Sequence, residues 1–415
     1  MNRTLTTWIL AAAAAASAWA QAEWMGRWEG ALELEGGDRL HISVMLVPSG
    51  ALLDIPGEQL FGYPSAQSSI DADRIYLAFV FGGGRFVLEG ALEPDGIRGS
   101  YSQGSAGGAM FLIKSAIQPD PAATVTVCGF DGAELVGTLL VPPGDAPRPL
   151  VILHAGLGAS DRNGNNYNMR GRHDALGQLA SALLSRDVAS LRYDKRGSGA
   201  STWLVPTERS LSFEAWVADL RAIADAMAAD PRFSTVWILG LNDGALVAVA
   251  AANRGGAERG VMVACASSLS PRDAYAKAVA DAPEALRAEG EAIMAALDSG
   301  GLVPSLSAYY VDAFRPSYQP YLVEAFRFDL KRELAAYGGD LLLVQGDMDM
   351  QATLADFITL GEAAPSARTI IVPRMNHVLK DVQPQVDDNF AAFSDPSYQV
   401  STALADAIAD WVSRP

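Results

Sequence analysis

The apolar positions of this chain follow two different patterns. Over residues 24–114 they come in short runs, "ALEL", "HISVMLV", "RIYLAFVF", "RFVLEGAL", "IRGSYS" and "AMFLIK". Clusters of turn-forming residues separate them: "EGGD", "PSG", "FGGG", "EPDG" and "QGSAGG". Short runs bounded by Gly, Pro and Asp read as strands, and their partial alternation suits a sheet with one wet face. The stretch predicts a small antiparallel sheet or barrel. Its one histidine, His41, lies within a strand pattern and reads as a structural or surface residue. Residues 115–123, "SAIQPDPAA", read as a linker.

From residue 124 strand-like runs alternate with helical ones. The strands are "TVTVCGF", "GTLLVPP", "PLVILHAG", "VASLRYD", "VWILG", "GVMVACA", "DLLLVQG" and "RTIIVP". Helices are predicted over about 174–186, where Leu176, Leu179, Ala180, Leu183 and Leu184 share a face, over about 213–229, after residue 243, and over about 400–413. Apolar strands alternating with helices predict a mostly parallel sheet with helices on both faces. Residues 268–338 interrupt the series with mostly helical sequence. An insertion at the carboxyl end of a parallel strand stands over the place where such sheets bind ligands, so a helical lid is expected there.

Length, charge and cysteines refine this picture. A chain of 415 residues, half of them hydrophobic, has room for two or three domains with ample core. Residues 1–20 stand apart: Arg3 precedes "WILAAAAAASAWA", and Ala18-Trp19-Ala20 or Ala20-Gln21-Ala22 fits a signal-peptidase site. The stretch reads as a secretory signal peptide, because its apolar core is short for a membrane span. The expected location is periplasmic or secreted, with no membrane span left after cleavage. A net charge of −17 and the lack of a basic run argue against nucleic-acid and anionic-membrane partners. Cys128 and Cys265 both fall in apolar runs and are expected to be buried thiols; they can form at most one bridge. Their spacing offers no metal motif, and no cofactor is implied.

The candidate chemistry begins at "VWILGLNDGALVAVAAANR", residues 236–254. A strand ends on Gly240, Gly244 follows, and an Ala-rich helix begins, which is the outline of a nucleophile elbow with Asn242 in the serine position. Small residues on either side of the central one permit the sharp turn, and the N–H of Asp243 is placed to face a developing oxyanion. The fold's order of nucleophile, acid, histidine puts the acid in "DMDM", where Asp349 is better placed than Asp347, and the base at His377 in "RMNHVLK". In "LHAGLGASDRNGNN", Gly156 and Gly158 let backbone approach a substrate, and the N–H of Leu157 is the second oxyanion candidate. His154 reads as a residue that shapes this loop. In "LRYDKRGSGAS", Asp194, Lys195 and Arg196 are expected to brace one another under the site.

Six motifs in this order, "HAGLGASDRNGNN", "LRYDKRGSGAS", "GLNDGALVA", "FRPSYQPYL", "LLLVQGDMD" and "MNHVLK", resemble secreted bacterial α/β-hydrolase esterases with a small β domain ahead of the hydrolase domain. The resemblance covers nearly all of the chain after residue 20. It implies an α/β-hydrolase fold and a triad whose acid is Asp349, whose base is His377 and whose serine position is Asn242, with Leu241 where the family has histidine. An amide nitrogen, its lone pair delocalised, is no substitute for a hydroxyl nucleophile. Asp243 as an aspartate nucleophile puts Leu241 where a glycine is needed.

Three readings follow. The first is a carboxylesterase-type hydrolase, impaired or rerouted, in which His377 and Asp349 activate water and Asn242 positions a small ester or acyl ligand. The second is a catalytically silent pseudohydrolase that binds such a ligand. The third is a protein-interaction module acting through the β domain. Serine, being smaller than asparagine, is expected to fit at position 242 without strain.

Overall fold

A computed structural model describes residues 24–114 and 123–414, except 25, 36, 48–49, 56–59, 72, 82–83, 157, 159, 166–171, 206 and 257. The signal-peptide expectation and nearly all of the linker expectation lie outside the described residues. The chain divides into two compact units, residues 1–122 and 123–415.

The first unit is one nine-stranded antiparallel sheet. Its strands are β1 (Gly26–Glu33), β2 (Arg39–Val47), β3 (Gly50–Ile55), β4 (Leu60–Pro64), β5 (Gln67–Ile70), β6 (Arg74–Phe81), β7 (Gly84–Glu93), β8 (Gly96–Gln103) and β9 (Ala106–Lys114). Their order is β4-β3-β2-β1-β9-β8-β7-β6-β5. The short turn between β4 and β5 ties the two ends together. Ser65 N donates to Ala51 O of β3 and Ala66 N to Ala78 O of β6, both at 2.8 Å, so the sheet curls on itself. Alternate side chains fill its inside, among them Trp28, Leu32, Val44, Leu53, Leu77, Phe79, Leu88 and Leu112. Sequence pattern locates the strands at 31–34, 41–47, 74–81, 85–92, 97–102 and 109–114 but misses β3, β4 and β5. Those three are only four to six residues long and carry Gly, Pro, Gln and Ser.

The second unit holds eight strands: β10 (Thr124–Cys128), β11 (Glu134–Leu140), β12 (Arg148–His154), β13 (Ala189–Tyr193), β14 (Phe233–Leu241), β15 (Gly260–Ala264), β16 (Asp340–Gly346) and β17 (Arg368–Val372). They lie in the order β10-β11-β13-β12-β14-β15-β16-β17. β10 pairs antiparallel with β11, and β11 with β13, while every pairing from β13 across to β17 is parallel. Successive residues of β12 feed opposite cores. Leu150 and Ile152 join α2 (Phe213–Ala228) and α3 (Gly244–Asn253) on one face. Val151 and Leu153 join α1 (Ala175–Leu184) and the C-terminal helix (Thr402–Val412) on the other. Burial on both faces is why these strands read as unbroken apolar runs.

Between β15 and β16 the chain forms α4 (Pro271–Ala280), α5 (Glu284–Asp298), α6 (Val311–Phe314), α7 (Gln319–Ala325) and α8 (Leu330–Ala336). Ser270 caps α4 by accepting from Asp273 N, with Pro271 at the first helical position. The insertion is anchored by aromatic contacts: Trp216 of α2 meets Tyr321 edge-on at 5.4 Å, and Phe213 lies 4.5 Å from Phe328.

The cysteine expectation needs correction. Both thiols are free; Cys265 is buried, but Cys128 is exposed. β10 is an edge strand on which Val127 turns inward, so alternation turns Cys128 out to solvent. Among the described residues no helix is long and apolar enough to cross a membrane.

Candidate active site

At the end of β14 the chain makes the sharp turn that the glycine spacing predicts. Asn242 has φ 54°, in the left-handed region, and α3 starts two residues later. Asn242 N donates to Ala264 O at 2.9 Å, which fixes the turn to β15. Both flanking glycines are required. A Cβ on Gly240 lies 2.5 Å from Ala245 Cα, and one on Gly244 lies 2.4 Å from Ala155 O. Asn242 is half-buried, and its Oδ1 has no hydrogen-bond partner. Among the described residues no backbone acceptor takes the Asp243 N–H.

The acid and the base meet as expected. His377 Nδ1 donates to Asp349 at 2.9 Å (Oδ2) and 3.1 Å (Oδ1). The Asp349 side chain is fully buried, and its Oδ1 also accepts from the N–H groups of Gln351 and Ala352. Asp347 is exposed and accepts from Arg374 N instead. The histidine loop is held from behind: Asn376 Oδ1 accepts from Val378 N and Lys380 N, and buried Lys380 donates to Gln178 and Tyr398 O. Phe393 stacks on the imidazole at 6.3 Å. With Nδ1 committed to Asp349, Nε2 is the nitrogen left for chemistry.

Two cavities meet on Asn242, Asp243 and Ser267. One, about 300 Å³, is lined by Gly156, Ser160, Cys265, His377 and Phe393. The other, about 310 Å³, runs under the inserted helices and is walled by Tyr275, Tyr318, Tyr321 and Leu322. The expected lid is therefore a wall of the site. Asp243 opens into this concave space but is otherwise surrounded by protein. That crowding raises its carboxyl above the ordinary range, against the opposing effect of His377.

The loop after β12 corresponds in part to expectation. Gly158 has φ +76°, which favours glycine, whereas a Cβ on Gly156 makes only ordinary contacts near Asn242. Leu157, the second oxyanion candidate, lies outside the described residues. His154 is buried with Nδ1 2.8 Å from Tyr193 Oη, and burial lowers its pKa to about 3. It is a buried neutral group held against Tyr193 of β13.

Asp194, Lys195 and Arg196 do not brace one another, contrary to the sequence reading. Successive residues leaving β13 point in different directions. Asp194 accepts from Arg162 N and Ala200 N, Arg196 pairs with Asp219 and Asp131, and Lys195 turns inward to Ser160. Sequence pattern also missed Ser160, Cys265, Ser267 and Phe393 as site residues. The one available signal for Ser160 was its place in the glycine-rich loop.

Strand order, the elbow after β14, the acid after β16 and the histidine after β17 define an α/β-hydrolase fold. Residues 170–375 match the family model described as serine aminopeptidase, S33. No curated protein matches the chain. Among solved structures, Est1E from Butyrivibrio proteoclasticus is similar at 14% identity over 70% of this chain and 100% of its own, TM-score 0.47. A thermophilic esterase from Thermogutta terrifontis is similar at 16% identity over 70% and 97%, TM-score 0.42. A hydrolase from Pseudomonas aeruginosa is similar at 20% identity over 71% and 100%, TM-score 0.44.

Proposed function

We propose that this chain is a carboxylesterase-type hydrolase of small esters, rerouted around its missing elbow serine, and that it works outside the cytoplasm. The observation that carries this reading is His377, which lines the same cavity as Asn242 and is held from behind by Asp349 at 2.9 Å. Asp349 fixes the imidazole tautomer, so Nε2 accepts a proton from water as that water attacks the ester carbonyl. The Asp243 N–H, at the start of α3, faces the oxygen on which negative charge develops. Leu157 N–H is the proposed second donor. Asn242 contributes by position, since its amide nitrogen does not attack. Catalysis of this kind is slow, on the order of 10³ to 10⁴ over water, the residual seen when a triad loses its nucleophile.

The unpartnered Oδ1 of Asn242 favours a second reading, in which the cavity binds an ester or acyl ligand without turnover. Hydrolysis of p-nitrophenyl acetate by wild type and His377→Ala separates the two. The hydrolase reading expects a rate above buffer that falls to background in His377→Ala. A wild type no faster than buffer overturns it in favour of the silent binder.

A further inference from the structure

The elbow carries an amide, yet the cavity beside it carries a serine with a basic partner. Ser160 lines this cavity together with Asn242 and His377. Lys195, leaving β13, places Nζ 3.1 Å from Ser160 Oγ and 3.0 Å from Ser160 O. Both residues are deeply buried, at 3% and 2% residual exposure. Among the described residues Lys195 makes no ion pair. The carboxylates nearest to it are occupied elsewhere: Asp194 with Arg162 N and Ala200 N, Asp161 with the N–H groups of Asn163 and Asn165. Burial lowers the lysine to about 7, against the weaker raising effect of those two carboxylates. A large fraction of its amine is thus neutral at neutral pH and able to accept a proton.

We propose that Ser160 is the nucleophile of this hydrolase and Lys195 its base. This rests on the ester-hydrolase reading and adds a covalent step to it. The Ser160 hydroxyl now donates to Gly156 O at 2.7 Å. Rotation about Cβ–Oγ turns its hydrogen toward Nζ without moving the oxygen, while an N–H of the amine stays on Ser160 O. Nζ takes the hydroxyl proton as Oγ bonds to the acyl carbon. The carbonyl then re-forms, the bond to the alcohol oxygen breaks, and the alkoxide takes its proton from the Lys195 ammonium. A water that gives its proton to His377 attacks the acyl-serine; Oγ leaves and recovers a proton from the imidazolium. The carboxylic acid departs and both bases return to their starting state.

The other nucleophiles of the cavity fit less well. Burial and neighbouring Asp349 push the Cys265 thiol well above its ordinary range, which keeps it protonated. Ser267 Oγ accepts from Leu269 N, which gives it no base. The Asn242 substitution also gains a purpose. A side-chain amide beside the Asp243 N–H is the kind of donor that stabilises an acyl oxyanion.

The test is active-site labelling of the full chain with diisopropyl fluorophosphate, read by intact mass and peptide mapping. The expected result is one adduct, on Ser160, forming faster as pH rises through about 7. Ser160→Ala, which removes one atom, keeps its circular dichroism, takes no adduct and loses p-nitrophenyl acetate hydrolysis by about 10³-fold or more. Ser160→Cys checks access independently: its thiol is expected to be alkylated by iodoacetamide. An adduct on another residue, no adduct at all, or full hydrolysis by a folded Ser160→Ala overturns the proposal. Hydrolysis that survives Ser160→Ala but not His377→Ala leaves the direct-water reading standing. No adduct together with no hydrolysis removes both.

Discussion

Asn242 sits at φ 54°, where a serine is strained and an asparagine is comfortable. The sequence reading, that serine fits there without strain, considered side-chain size and not backbone conformation. Asn242→Ser therefore has two expected consequences. Restoring a hydroxyl beside the His377–Asp349 pair raises p-nitrophenyl acetate turnover by several orders of magnitude, with a ceiling of ~10⁶. The left-handed backbone then costs about 1 kcal/mol, or a melting temperature lower by ~2 °C in a thermal scan. A variant that is less stable but no more active shows that the anion pocket, not only the hydroxyl, has been lost. In the same background, Asp349→Asn leaves the imidazole in the wrong tautomer, and a fall of ~10⁴ in turnover is expected. At this scale the positions of Asn242, Asp349 and His377 just beyond their strands were legible, because strand ends are punctuated in the sequence. Ser160 and Lys195 were not: they are 35 residues apart, and only folding sets one side chain against the other.

Among the elements, the elbow and the inserted helices do most to shape the site. The Gly240→Ala methyl has nowhere to go, with Ala245 Cα 2.5 Å from its position. A loss of at least 1–3 kcal/mol is expected in chemical denaturation, because α3 must shift away from β14. The insertion was legible as helices and as a candidate lid, but the faces it presents were not. Pairings such as Trp216 on Tyr321 seat it on α2 and leave Tyr275 and Tyr318 lining the second cavity. Tyr275→Ala enlarges that cavity. The ratio of kcat/KM for p-nitrophenyl hexanoate over acetate is expected to rise several-fold, and an unchanged ratio places the acyl chain elsewhere.

For the whole molecule, buried neutral histidines make stability fall on the acid side of neutrality. Burial lowers His154 to about 3 and His173 to about 4, whereas an unfolded histidine titrates near 6.5. Between those values the unfolded chain binds more protons, so stability falls as pH drops below about 6.5. By pH 5 each histidine has cost about 2 kcal/mol. Denaturation midpoints at pH 7 and 5 check this, and His154→Phe is expected to flatten the dependence. The proposed export is checked by sequencing the N-terminus of periplasmic material, where an intact Met1 overturns it. Sequence alone determined the two-part organisation, the parallel sheet with its helical insertion, and the order elbow, acid, histidine. These are periodic or punctuated along the chain, and residue pattern reports them directly. Tertiary structure alone decided the curl of the β sheet, which rests on strands too short and polar to read. It also decided that Cys128 faces solvent, that the charged run after β13 splits three ways, and that Ser160 meets a buried lysine. Each depends on which distant surface packs against a residue, and that information is absent from local sequence.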